Sequence, residues 1–340
     1  MECMTIILQR MATLLPHLGF VSLIAAAACA SGQATLASPK TGCPPLPALD
    51  SAALMNDVFR LAADSMRGRR TGTPENAKAR DFIAARFDAL GLAVVGRGRL
   101  APFTITSTRR PQPIVGTNVI GVIKGSRFPD QYIVVSAHFD HIGVTGDGSC
   151  RATGADSICN GADDNASGTA ALLQLARHFS VAKPQHSIIF AAFDAEESGD
   201  VGSRVWVDSM PVPVEQVLID VNMDMIGRNA KNELYASGPT KYPHLTPLVN
   251  AAVACAPAPI TLISGHDGEA GRDDWTNQSD QGAFNRKGIP FIYFGEEDHP
   301  DYHRAGDHAD RLMPAFYVSS ARLVGSFVSR FDANPVVKPK

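Results

Sequence analysis

The chain has 340 residues, 45% hydrophobic and 19% charged, with a formal net charge of −3. That length holds one large α/β domain or two small ones, and that hydrophobic share excludes a globally disordered chain. The absence of a basic surplus argues against nucleic acid or anionic lipid as a partner.

Residues 1–30 read as a secretory signal. Arg10 precedes an apolar stretch of Leu14, Leu15, Leu18, Phe20, Val21, Leu23 and Ile24, followed by Ala25–Ala28. Small residues around Cys29 fit cleavage after Ala30. The alternative is a lipid anchor at Cys29, although the usual Leu three residues before it is missing. Pro16 and His17 break the run, which is short for a membrane span, and none is expected in the mature chain. A secreted or periplasmic product follows.

Residues 31–50 form a flexible lead-in, and a single domain is expected over 51–332 with a tail at 333–340. Ala52–Met66 has helical spacing. The short basic cluster Arg67, Arg69 and Arg70 reads as a solvated or locally paired turn. Thr73-Pro74-Glu75 caps a helix that Gly91 ends. From Asn118 onward, apolar strands alternate with helices. Strands are predicted at Asn118–Ile123, Tyr132–Ala137, Ser187–Phe193, Val217–Met225 and Ile289–Phe294. Helices are predicted at Ser167–Phe179, Pro243–Ala254 and Asp310–Phe331. The fold class is therefore three-layer α/β/α around a mixed, mostly parallel sheet. Export permits disulfides. Cys150 and Cys159 bracket a short polar loop and are expected to pair; Cys43 and Cys255 are what remain.

The polar residues worth explaining follow predicted strands, where open α/β sheets bind ligands. They are His138 and Asp140, the triplet Asp163-Asp164-Asn165, then Asp194, Glu196 and Glu197, then Asp224, and finally Tyr302 and His303. Each has a plain reading alone. A strand-end His is usually hydrogen-bonded, Asp164-Asn165 could cap a helix, and Glu196-Glu197 could be solvated charge. Asp224 sits among apolar neighbours and needs a cation or several donors. Together these carboxylates would repel one another in one crevice unless divalent metal neutralised them. Imidazole and carboxylate without thiolate suit zinc, and the number of carboxylates suits a pair of ions.

The motifs carrying this set are Ser136-Ala-His-Phe-Asp-His-Ile-Gly143, Asn160 to Thr169, Ala195-Glu-Glu197 with Gly202-Ser203, Asn222-Met-Asp-Met-Ile-Gly227 and Asp301-Tyr-His303. In order and spacing the sequence resembles the co-catalytic zinc exopeptidases of metallopeptidase family M28, over about residues 52 to 330. The resemblance implies a di-zinc aminopeptidase acting on peptides. It implies His138 and Asp224 as ligands of one zinc, Glu197 and His303 as ligands of the other, and Asp164 shared between them. It also implies Asp140 orienting His138, Glu196 as general base, Tyr302 at the oxyanion, and a cis peptide bond after Asp164. Asp163 then reads as a cap or loop residue, and His266 and Asp267, in a Gly-rich loop, as lining the substrate cleft or, preferred, as surface. The Gly91–Gly116 stretch is too short for the inserted domain that many relatives carry. Two rivals share the scaffold: a single-zinc acyltransferase like glutaminyl cyclase, against which His138 argues, and a non-catalytic binding protein, against which the complete residue set argues.

Overall fold

Alternate residues of the same apolar runs feed two different cores. The computed structural model describes residues 43–336, apart from 97, 107–111, 147 and 269–272. The signal, cleavage and lipid-anchor readings, Cys29 included, lie outside the described residues. In chain order the elements are α1 (Ser51–Leu61), α2 (Pro74–Ala89), β1 (Leu100–Ile105), β2 (Ile114–Ile123), β3 (Phe128–His138), α3 (Gly168–Ala182), β4 (His186–Phe193) and α4 (Val201–Asp208). They continue with β5 (Val217–Met223), β6 (Glu233–Ser237), α5 (Thr246–Ala254), β7 (Thr261–Ser264), α6 (Gln281–Arg286), β8 (Phe291–Gly295) and α7 (Pro314–Ala333).

The strands form one sheet in the order β1-β2-β4-β3-β5-β8-β6-β7. The pairs β4–β3, β3–β5, β5–β8 and β6–β7 are parallel, and the other three are antiparallel. Because strand side chains alternate, Ile133, Val135, Ile188 and Phe190 face one core, which α1, α2, α3, α5 and α7 cover. Val134, Ile189, Ala191 and Phe193 face the other, where Trp206 of α4 and Phe284 of α6 close it. This is why β3 and β4 read as continuous apolar runs. Phe190 is fully buried, with Phe87 and Phe179 rings 6.4 and 6.5 Å away. Its truncation to Ala should cost about 3–5 kcal/mol.

Local chemistry sets the helix starts. Asp50 accepts a hydrogen bond from the Ala53 amide at 3.0 Å, and Thr73 accepts one from the Asn76 amide at 3.2 Å ahead of Pro74. The first helix stops at Leu61, short of the predicted Met66, and a 3-10 turn over Asp64–Arg69 follows, with Arg67 and Gly68 left-handed. The strand predicted to Met225 ends at Met223, leaving Asp224 just past its carboxyl end. Disulfides join Cys150 to Cys159 and Cys43 to Cys255. No helix among the described residues is long and apolar enough to cross a membrane.

Candidate metal centre

Parallel β4, β3 and β5 lie side by side and finish at one edge of the sheet. That edge gathers His138 from the end of β3, Glu196 and Glu197 from the turn after β4, and Asp224 from the end of β5. The turn before α3 adds Asp164, and the loop after β8 adds His303. The two oxygens of Asp164 face different partners. Its Oδ1 is 3.4 Å from His138 Nε2, which is also 3.2 Å from Asp224 Oδ1. Its Oδ2 is 3.3 Å from His303 Nε2, which is also 3.2 Å from Glu197 Oε2. Ligands placed about 2.0–2.1 Å from a tetrahedral zinc stand about 3.4 Å apart, so both groupings match the edges of such a polyhedron.

A further imidazole reaches the second grouping. His141 is fully buried, and its Nδ1 lies 2.7 Å from Glu197 Oε1 and 3.7 Å from Asp164 Oδ2. The contact to Glu197 lacks hydrogen-bond alignment, so both His141 nitrogens and Glu197 Oε1 are left without a hydrogen-bond partner. Buried polar atoms are seldom orphaned, and His141 Nδ1 meeting Glu197 Oε1 and Asp164 Oδ2 fits a cation. Residue type and spacing thus admit zinc at both groupings. In the sequence His141 is marked only by its place in the His-Phe-Asp-His run, and the resemblance gives the second imidazole to His303 alone.

The electrostatics follow from burial and proximity. Burial opposes the charge on His303, yet the Asp164 and Glu197 carboxylates outweigh it and push its pKa up to about 10. Burial would raise Glu197, but the His141 and His303 imidazoles outweigh it and hold the carboxyl well below its usual range. Glu196 goes the other way. Burial, reinforced by Asp224 and Glu197 and opposed by His138, lifts it well above an ordinary carboxyl. Burial, then the nearby carboxylates, raises the Tyr302 phenol.

Surrounding groups fix this geometry. Asp140 touches both His138 and the turn that carries Glu196. Its main-chain oxygen is 3.2 Å from His138 Nδ1 and its carboxylate 3.6 Å, while the carboxylate accepts the Glu196 amide at 3.0 Å. Asp194 is occupied by Thr71, Asn76 and the Thr117 and Ala195 amides at 2.8–3.0 Å, so it shapes the turn that carries Glu196. Asp307 accepts the Asp163 and Asp164 amides at 3.0 and 3.1 Å. The Asp164–Asn165 peptide bond is cis. Gly161 has φ +58°, and a Cβ there would stand 2.2 Å from the Asp164 carbonyl oxygen and 2.5 Å from the His141 ring. Only glycine lets those two approach.

Two expectations are corrected and a third is narrowed. Arg69 is not a solvated turn residue. It is fully buried, and its guanidinium donates to the carbonyls of Phe139 at 2.6 Å, Gly161 at 2.6 Å, Leu61 at 3.3 Å, Asp164 at 3.3 Å and Asn160. All of those acceptors except Leu61 lie far along the chain, so no local pattern announces them. His266 and Asp267 are not surface. They are 3% and 1% exposed, and His266 stacks on Trp275 with ring centroids 3.7 Å apart. Of the two readings for Asp163, the loop one stands: it lies in the turn before α3, and its Oδ1 accepts the Gly227 amide at 2.8 Å instead of capping the helix.

The centre opens into a cleft with carboxylates Asp164, Glu196, Asp224, Glu296 and Asp298 and aromatic rings of Trp275, Tyr293 and Tyr302. Gln278 lines it too, and no arginine or lysine is among the described residues that do. The sequence profile of peptidase family M28 matches residues 118–328, which carry every side chain of this centre.

The chain belongs to peptidase family M28.

Zinc is the metal that membership implies. A protein of Pyrenophora tritici-repentis described as "Probable zinc metalloprotease" is 32% identical over 193 residues, covering 54% of this M28 chain and 40% of that relative. The match thus spans well under half the relative's length. Among solved structures, the zinc aminopeptidase of Bacillus subtilis superimposes with a TM-score of 0.66 at 18% identity, covering 85% of this chain and 96% of that one. The glutaminyl cyclase of Porphyromonas gingivalis does so equally well, with a TM-score of 0.66 at 18% identity over 84% and 99%. The fold is shared by both activities and does not separate them.

Proposed function

We propose that the chain is an exported di-zinc aminopeptidase. One zinc would be held by His138, Asp164 and Asp224, and the other by Asp164, Glu197 and His303, with His141 beside it. Asp164 offering one oxygen to each side carries the two-ion reading. Bound zinc would polarise the scissile carbonyl and acidify the attacking water. Glu196 is assigned as the base that takes the proton from that water and delivers it to the leaving amine. Its raised pKa, in the chain without metal, suits a group that must hold the proton between those steps. Tyr302, protonated over the whole physiological range, donates to the developing oxyanion.

The cleft's charge supports removal of N-terminal residues. Asp298 is a cleft carboxylate beyond the proposed donor set and base, so a substrate's α-ammonium group would meet favourable charge. A C-terminal carboxylate would find no arginine or lysine among the described residues lining the cleft. The glutaminyl cyclase alternative needs one zinc, whereas His138 and Asp224 add a second group of donors. Export is supported by the disulfides and by the signal-like first 30 residues, with lipid attachment at Cys29 as the alternative to cleavage.

The test is a panel of aminoacyl amides, free and N-acetylated, with chelator and zinc add-back. Only free-amine substrates should be cleaved, and chelation should abolish the activity reversibly. Equal cleavage of blocked substrates would remove the aminopeptidase assignment.

A further inference from the structure

Beside the Asp164 centre, three more side chains each present one unsatisfied ligand atom to a common point. Asp163 uses Oδ1 on the Gly227 amide at 2.8 Å, and its Oδ2 has no hydrogen-bond partner. Glu296 uses Oε2 on the Arg228 amide at 3.1 Å, and its Oε1 has none. His299 has a side chain only 7% exposed, and neither ring nitrogen finds a hydrogen bond. Its Nε2 sits 3.5 Å from Asp163 Oδ2 and 4.0 Å from Asp307 Oδ1. One ligand atom from each of Asp163, Glu296 and His299 lies within 4.8 Å of the others.

The arrangement is more than a cluster of acids. Each carboxylate is fixed by a main-chain amide through one oxygen, which leaves the second oxygen aimed inward. The imidazole is buried and neither nitrogen makes a hydrogen bond, where a structural His would normally donate to a carbonyl or carboxylate. Arg228, whose main-chain amide holds Glu296, turns its Nη2 to Asp301 at 2.6 Å. Asp307 spends both oxygens on main-chain amides. Asp163 and Glu296 are thus a buried acidic pair, 0% and 3% exposed, whose inward oxygens find no hydrogen-bond donor.

We infer that Asp163, Glu296 and His299 form a separate divalent-cation site, distinct from the one that Asp164 shares. Asp163 and Asp164 are adjacent, but their carboxylates engage different partners: Gly227 and His299 for one, His138 and His303 for the other. One imidazole with two carboxylates selects a first-row ion such as zinc or manganese over calcium, which favours an all-oxygen shell. The site joins the turn carrying Asp164 to the loop after β8 that carries Tyr302 and His303. A bound ion would hold those two segments in register.

The inference does not depend on the number of ions at the Asp164 centre, because its test reads a difference. Metal-depleted wild type, Glu296→Gln and His299→Ala are equilibrated by dialysis against zinc alone, and separately manganese alone, and bound metal is counted. Each variant should hold one ion fewer per chain than wild type, and the melting-temperature rise that metal gives wild type should shrink. Glu296→Gln keeps the side chain's shape, so it serves if His299→Ala does not fold. Equal metal counts in wild type and the folded variant would overturn the site, and would mean that the two carboxyls share a proton instead.

Discussion

Arg69 Nη2 lies 3.3 Å from the main-chain oxygen of Asp164, the residue that faces both halves of the metal centre. The same guanidinium holds Asn160 and Gly161 in the loop before it and Phe139 in the loop after β3. One fully buried cation thus fixes both segments that supply His138 and Asp164. Its charge is offset by Asp164, Asp307, Asp140 and Glu197, which counter the lowering of its pKa by burial.

Replacing Arg69 with Met should therefore leave several carbonyls unsatisfied and several acids uncompensated. The expected loss is about 3–5 kcal/mol of stability, together with weaker zinc retention. Denaturant unfolding of the metal-free and zinc-loaded variant measures both. A change confined to stability, with zinc affinity unaltered, would separate Arg69 from the centre.

Glu196→Gln should retain zinc and lose activity by about 100- to 10,000-fold, because the amide cannot take the proton of the attacking water. Metal content and kcat on an aminoacyl amide test this. Near-normal turnover would reassign the base.

His141→Ala removes a buried imidazole 2.7 Å from Glu197. Zinc affinity at the Glu197–His303 side should fall by about 10- to 100-fold, as for groups that bind or orient metal ligands. The His138–Asp224 side should be much less affected. Chelator competition that resolves two binding steps gives the answer.

His303 supplies a pH dependence. Without metal its folded pKa is about 10, against about 6.5 unfolded. The stability it draws from Asp164 and Glu197 is fully present below about pH 6.5 and is lost as pH rises through about 10. The metal-free enzyme's advantage over His303→Gln should shrink across that window. Zinc needs neutral imidazole, so zinc binding at pH 7 should release a proton. Calorimetry in two buffers of different ionisation enthalpy detects it.

Much of the centre was legible because parallel strands send successive carboxyl ends to one edge. Apolar runs ending in His138, Glu196-Glu197 and Asp224 marked that edge in the sequence. What stayed hidden depends on contacts between distant positions. Arg69 reaches carbonyls 70 to 95 positions away, and a local charge count treats it as surface. His266 sits in a glycine-containing loop whose packing on Trp275 no periodicity encodes. The edge strands β6 and β7 have only five and four residues, too few to show a period. Helix α4 carries Ser203, Arg204 and Asp208 within eight residues, and this diluted its apolar face.

The most direct measurement is an anomalous difference map at the zinc edge from crystals of Glu196→Gln holding an uncleaved peptide. Two peaks should flank Asp164, about 3.5–4 Å apart, one beside His138 and Asp224 and the other beside Glu197 and His303. The peptide's amino terminus should lie in the cleft. A single peak, or peaks that Asp164 does not bridge, would contradict the two-ion account.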